Sequence, residues 1–130
     1  MKHLPTVAGA VLGLLFVAFG LMVLLGLGPT PEPPPEGSTT AHFFAAFGPT
    51  GYLTFVKVLE VVGGLLVAVP RTRNLGLLVL GPILVNILAF HVFVAQDGVA
   101  DPILLTLCAL ALFLLLVERK AFWGLVQRSR

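Results

Sequence analysis

The chain has 130 residues, of which 58% are hydrophobic and 11% charged, and its mean hydropathy is +1.04; an ordinary soluble domain carries roughly 25% charged residues. That leaves too little polar surface to cover a soluble core, so lipid must cover much of the molecule, and a separate soluble domain is excluded for want of chain. The net charge of +2 does not point to nucleic acid, because the basic residues stand at the ends of apolar stretches.

A spanning helix needs about 20 mostly apolar residues. The first such stretch runs from Val7 to Leu27. Its apolar run of about 21 residues exceeds a signal-peptide core, and no Ala-x-Ala site follows, so it reads as a retained span. Within it, Gly9-x-x-x-Gly13 marks close packing against another helix.

The one long connection, residues 28–50, reads "GPTPEPPPEGSTTAHFFAAFGPT". Its proline-rich part should be extended polyproline II outside the membrane. "AHFFAAF" predicts about two turns of helix, with Thr40 as N-cap and Gly48-Pro49 as the stop. His42 and the stripe of Phe43, Phe44 and Phe47 suit either a lid across the mouth of the protein or an anchor at the headgroup level.

The second span, about 51–69, lies in "GYLTFVKVLEVVGGLLVAVP" and contains Lys57 and Glu60. Each costs up to roughly 2.5–3.5 kcal/mol to insert centrally, while each large apolar residue returns about 0.3–0.6, so this helix is marginal alone. At i and i+3 the two side chains can meet on one face, which Gly64 continues. A third span, about 75–95, follows the short turn "PRTRN", and Gly81-Pro82 in its middle predicts a kink. After the acidic loop "QDGVADP" comes the fourth span, about 103–117. Its only cysteine, Cys108, reads as a small buried apolar side chain, and no Cys/His spacing suits zinc; no metal is expected.

Lys2, Arg71, Arg73, Arg119, Lys120, Arg128 and Arg130 occupy one set of span ends. The other set holds Glu32, Glu36, Asp97 and Asp101, with no Lys or Arg. Basic residues accumulate on the cytoplasmic side, so both termini are expected inside. With short loops between neighbours, the fold class expected is all-α: a four-helix membrane bundle, up-down-up-down, forming a single domain.

Depth links spans two and three. At 1.5 Å per residue, Lys57 lies about 9 Å and Glu60 about 13 Å below Gly51, while Asn86 lies about 15 Å and His91 about 7 Å below Gln96. Glu60 is thus level with Asn86, and Lys57 with His91. Asn86 and His91 are about 140° apart on an ideal helix, so a distortion or a broad cavity is needed to unite them; otherwise His91 belongs to the mouth, near Asp97 or "AHFFAAF". The four residues suit either a polar pocket or an internal network that only orders the helices.

The proline-rich first loop, "TGYLTFVKVLEVVGGLLV", and "PRTRNLGLLVLGPILVNILAFHVF" with its acidic loop together resemble the DoxX-like family of small bacterial four-helix membrane proteins over nearly the whole chain. The resemblance is carried most specifically by Lys57, Glu60, Gly63 or Gly64, Pro82, Asn86 and His91. It implies a cytoplasmic-membrane subunit of a redox complex, as in thiosulfate:quinone oxidoreductase, with a polar site at Lys57, Glu60, Asn86 and His91. It further implies a soluble oxidoreductase partner and quinone as the ligand, with no covalently bound cofactor. "FGLMVLLGLG" in span one stays apolar where many relatives carry a polar residue, so the implied site rests on spans two and three. Two other readings are a small proton or solute transporter, which would need a homo-oligomer to form a wide pore, and a non-catalytic scaffold.

Overall fold

Helix α1, Leu4–Leu24, starts with a proline in its first turn, where a missing N–H leaves no bond unmade. It buries Ala8, Gly9, Leu12, Gly13, Phe16 and Gly20, a stripe at helical spacing whose glycines admit another backbone. That neighbour is α3, Tyr52–Ala68, which buries Glu60, Gly63, Gly64 and Val67. A Cβ on Gly64 would stand 2.8 Å from the Gly13 carbonyl oxygen, so the two helices touch main chain to main chain. The Gly9-x-x-x-Gly13 pattern marks this contact.

The computed structural model describes residues 2–127, and among them every regular element is helical, with no strand. Between α1 and α3 lies α2, Thr39–Phe47. Its N-cap is Ser38, whose hydroxyl accepts from Ala41 N at 3.1 Å, two residues earlier than the expected Thr40. Gly48 ends it as predicted. A 3₁₀ turn, Pro70–Thr72, joins α3 to α4, Arg73–Ala89, and Thr72 Oγ1 donates to Leu66 O at 2.7 Å, occupying a terminal carbonyl of α3.

Helix α4 continues through Pro82. The departure from α geometry falls instead at Phe90–Ala95, one π-helical stretch that ends on Gln96 in the left-handed region. The break in α geometry thus lies about two turns beyond the proline, and the helix runs uninterrupted through Gly81-Pro82, where the sequence predicts a kink. Helix α5, Pro102–Val117, is capped by the Asp101 side chain, which accepts from Ile103 N at 2.9 Å. A short α6, Arg119–Val126, follows after a 74° bend. It packs Phe122 toward the core and leaves Trp123, Leu125 and Val126 exposed.

The core is contributed by α1, α3, α4 and α5, through Leu12, Phe16, Val67, Leu80, Leu84, Leu107 and Leu114. Helix α1 packs on α3 and α5, and α4 packs on α3 and α5. Cys108 is half-buried against this core. Two helices, Leu4–Leu24 and Pro70–Ala95, are long and apolar enough to cross a membrane. The number becomes four if each bent pair, Thr39–Phe47 with Tyr52–Ala68 and Pro102–Val117 with Arg119–Val126, forms one span. By itself α3 has 17 residues, slightly fewer than the span 51–69 read from hydropathy, while α5 has 16 and matches the span 103–117 closely.

Candidate functional site

Glycines on one side of α3 and a ligand-sized gap on the other define where its charges go. Lys57 and Glu60, one turn apart, meet with Nζ 2.9 Å from Oε2. The Glu60 side chain is 6% exposed and the Lys57 side chain 30%. The contact has the distance of an ion pair without the direction of a hydrogen bond, and Oε2 has no hydrogen-bond partner among the described residues. A buried carboxylate of this kind retains acceptor capacity for a donor that enters beside it.

Both residues line a cavity of about 640 Å³, a volume in the range of small-molecule sites. Phe16, Phe19 and Met22 of α1, Ile87 of α4, and Ile103, Leu104 and Leu107 of α5 form apolar walls. His91 and Asp101 add polar groups. His91 Nδ1 lies 2.8 Å from Asp97 Oδ1. An ionised carboxylate only accepts, so Nδ1–H donates in this contact, which orients the imidazole at the cavity wall. The Asp101 carboxylate, held by its N-cap bond, marks the beginning of α5 at the same end of the molecule.

Of the four residues expected to converge, the structure brings together three. Lys57, Glu60 and His91 line the cavity, whereas Asn86 lies on the exposed side of α4 and makes none of the side-chain hydrogen bonds among the described residues. The helical-wheel conflict between Asn86 and His91 is resolved in favour of His91, which sits in the π-helical stretch where the turn widens.

The aromatic element takes a different place from a lid. His42, Phe43, Phe44 and Phe47 of α2 do not line the cavity. Phe43 and Phe44 stack edge-on against Phe90, with centroids 5.0 and 5.9 Å apart, and Phe47 stacks on Tyr52 at 5.0 Å. His42 is exposed. The segment just after α1 contributes instead: Gly26, Leu27, Gly28, Pro29, Thr30 and Pro31 all line the cavity. Gly26 at φ 67° and Gly28 at φ 89° occupy the left-handed region, which turns the chain at the end of α1. The string "GLGP" was a usable signal for this turn.

Sequence reasoning also missed a second charged pair. Arg73, read as a loop cation, is buried, with its side chain 7% exposed and Nη1 3.7 Å from Glu118 Oε1. Its Nε and Nη2 have no hydrogen-bond partner among the described residues. Room for the guanidinium comes from Gly9, where an added Cβ would stand 3.1 Å from Nε.

The fold and cavity define an all-helical chain with apolar helices compatible with a membrane. No family model matches the sequence, and no solved structure matches it. The chain is 29% identical over 137 aligned positions to "Uncharacterized protein YwoB" of Bacillus subtilis (strain 168), covering 98% of this chain and 85% of that protein.

Proposed function

We propose that this chain is a multi-pass protein of the bacterial cytoplasmic membrane, similar to DoxX-like proteins, that serves as a small quinone-linked subunit of a redox complex. In this reading α1, α3, α4 and α5 form an up-down-up-down four-helix bundle with both termini in the cytoplasm. Two features support that topology. Gly9, Val67, Arg73 and Glu118 gather at one end of the helices, and that end is the one with the excess of Lys and Arg.

The observation that carries the functional reading is the Lys57–Glu60 pair, 2.9 Å apart, on the wall of an apolar cavity of about 640 Å³. A quinone presents an apolar ring with two carbonyl acceptors. Apolar walls suit the ring, and the partly exposed Lys57 side chain can donate to a carbonyl oxygen. The chain has one cysteine and no cofactor-binding fingerprint, so electrons would pass between the quinone and a soluble oxidoreductase subunit. The test is purification in mild detergent followed by mass spectrometry of associated proteins and extracted lipids. Bound quinone, with an oxidoreductase in the same complex, is the expected result. Its absence, with quinone reduction in membranes unchanged by Lys57→Met, would defeat the proposal.

A further inference from the structure

We propose that the outward face of α4 is the seam of a homodimer, in which Asn86 of one copy hydrogen-bonds to Asn86 of the other. The inference rests on the membrane reading above and is independent of what the cavity binds.

The argument begins with depth. Asn86 lies nine residues before the end of the 26-residue span Pro70–Ala95, which puts it roughly 13 Å from that end, close to the middle of a hydrocarbon layer about 30 Å thick. There its carboxamide is exposed and without a side-chain hydrogen bond among the described residues. Acyl chains offer neither donor nor acceptor, so the amide's two N–H groups and its carbonyl are satisfied only by another polypeptide.

The surrounding face matches that need. Leu75, Leu78 and Pro82 are all exposed and, with Asn86, follow one another at spacings of three, four and four residues within the α-helical part of α4. This is the pattern of a packing seam. Pro82 has no N–H, so the Leu78 carbonyl lacks its usual donor on the same face.

The occupant follows from symmetry and from the amide itself. Two copies inserted with the same orientation can pair about an axis along the membrane normal, which brings equal depths together. Asn86 then meets Asn86, and a carboxamide is self-complementary because each supplies a donor and an acceptor to the other. A single buried Asn of this kind fixes register and partner number in helix pairs.

The test uses the full chain in lipid vesicles, with Cys108→Ser as background and one cysteine introduced at a time. Leu75→Cys and Leu78→Cys should form disulfide-linked dimers on mild oxidation, whereas Leu14→Cys on the exposed side of α1 should not. Adding Asn86→Leu should weaken self-association, read by energy transfer against lipid dilution, by roughly 3- to 30-fold, and Asn86→Gln should restore part of it. Equal cross-linking at Leu14, no cross-linking at 75 or 78, or unchanged association in Asn86→Leu overturns the dimer. Flotation of the same vesicles separates this failure from failure of the membrane reading, in which the chain would not float.

Discussion

Lys57 Nζ stands 2.9 Å from Glu60 Oε2 across one turn of α3, yet burial is uneven: the carboxylate is enclosed and the ammonium opens onto the cavity. Removing one partner leaves the other charge in an apolar wall, while removing both leaves neither. Lys57→Met should therefore destabilise more than Lys57→Met combined with Glu60→Leu. The expected cost of the single change is about 1–3 kcal/mol, reduced from the fully buried case because Lys57 is partly exposed. Thermal unfolding of the four variants of the cycle in detergent checks this, and equal melting of single and double variants would contradict it.

The main-chain contact between α1 and α3 makes a second prediction. A Cβ on Gly13 would collide with the Gly64 carbonyl and stand 2.7 Å from Ala68 Cβ, whereas a Cβ on Gly81 meets nothing within 4 Å. Gly13→Ala should thus force the helices apart and destabilise by about 1–3 kcal/mol. Gly81→Ala should be neutral or stabilise by about 0.5–1 kcal/mol, since alanine is the better helix former. Folded yield and melting temperature measured side by side distinguish the two.

At the opposite end of the helices, Arg73 and Glu118 should respond asymmetrically. Arg73 is buried and Glu118 has 30% of its side chain exposed. Glu118→Gln strands a buried guanidinium whose Nε and Nη2 already lack partners and should destabilise by about 1–3 kcal/mol. Arg73→Met leaves a carboxylate that water can reach, and it removes the unsatisfied donors, so its effect should be smaller. Unfolding measurements that rank Arg73→Met as the more damaging change would refute this picture of the pair.

Hydropathy and charge made the helices legible because lipid demands long apolar segments, and these set the elements within a few residues. The Lys57–Glu60 pair was legible for a related reason: both residues belong to one helix, and i, i+3 spacing fixes their mutual direction. Asn86 was not. Its depth was readable by counting, but its face depends on where α4 abandons α geometry, and the π-helical stretch Phe90–Ala95 leaves no periodic trace. The burial of Arg73 was equally hidden, since it depends on Gly9 leaving space in a helix far away in sequence. The phenylalanine stripe of α2 was visible, but its partner Phe90 is a tertiary choice. The part of the first loop that lines the cavity follows two glycines after α1 that admit the left-handed backbone.

The central claim is that Lys57 offers its ammonium to an acceptor-bearing apolar ligand within this cavity. The most direct measurement is the affinity of the full chain in nanodiscs for a short-chain quinone, compared between wild type and Lys57→Met. Saturable binding that weakens by about 10-fold or more on the substitution is expected, from the loss of one hydrogen bond to a charged donor. Identical affinity in the two proteins, or no saturable binding to the wild type, would contradict it.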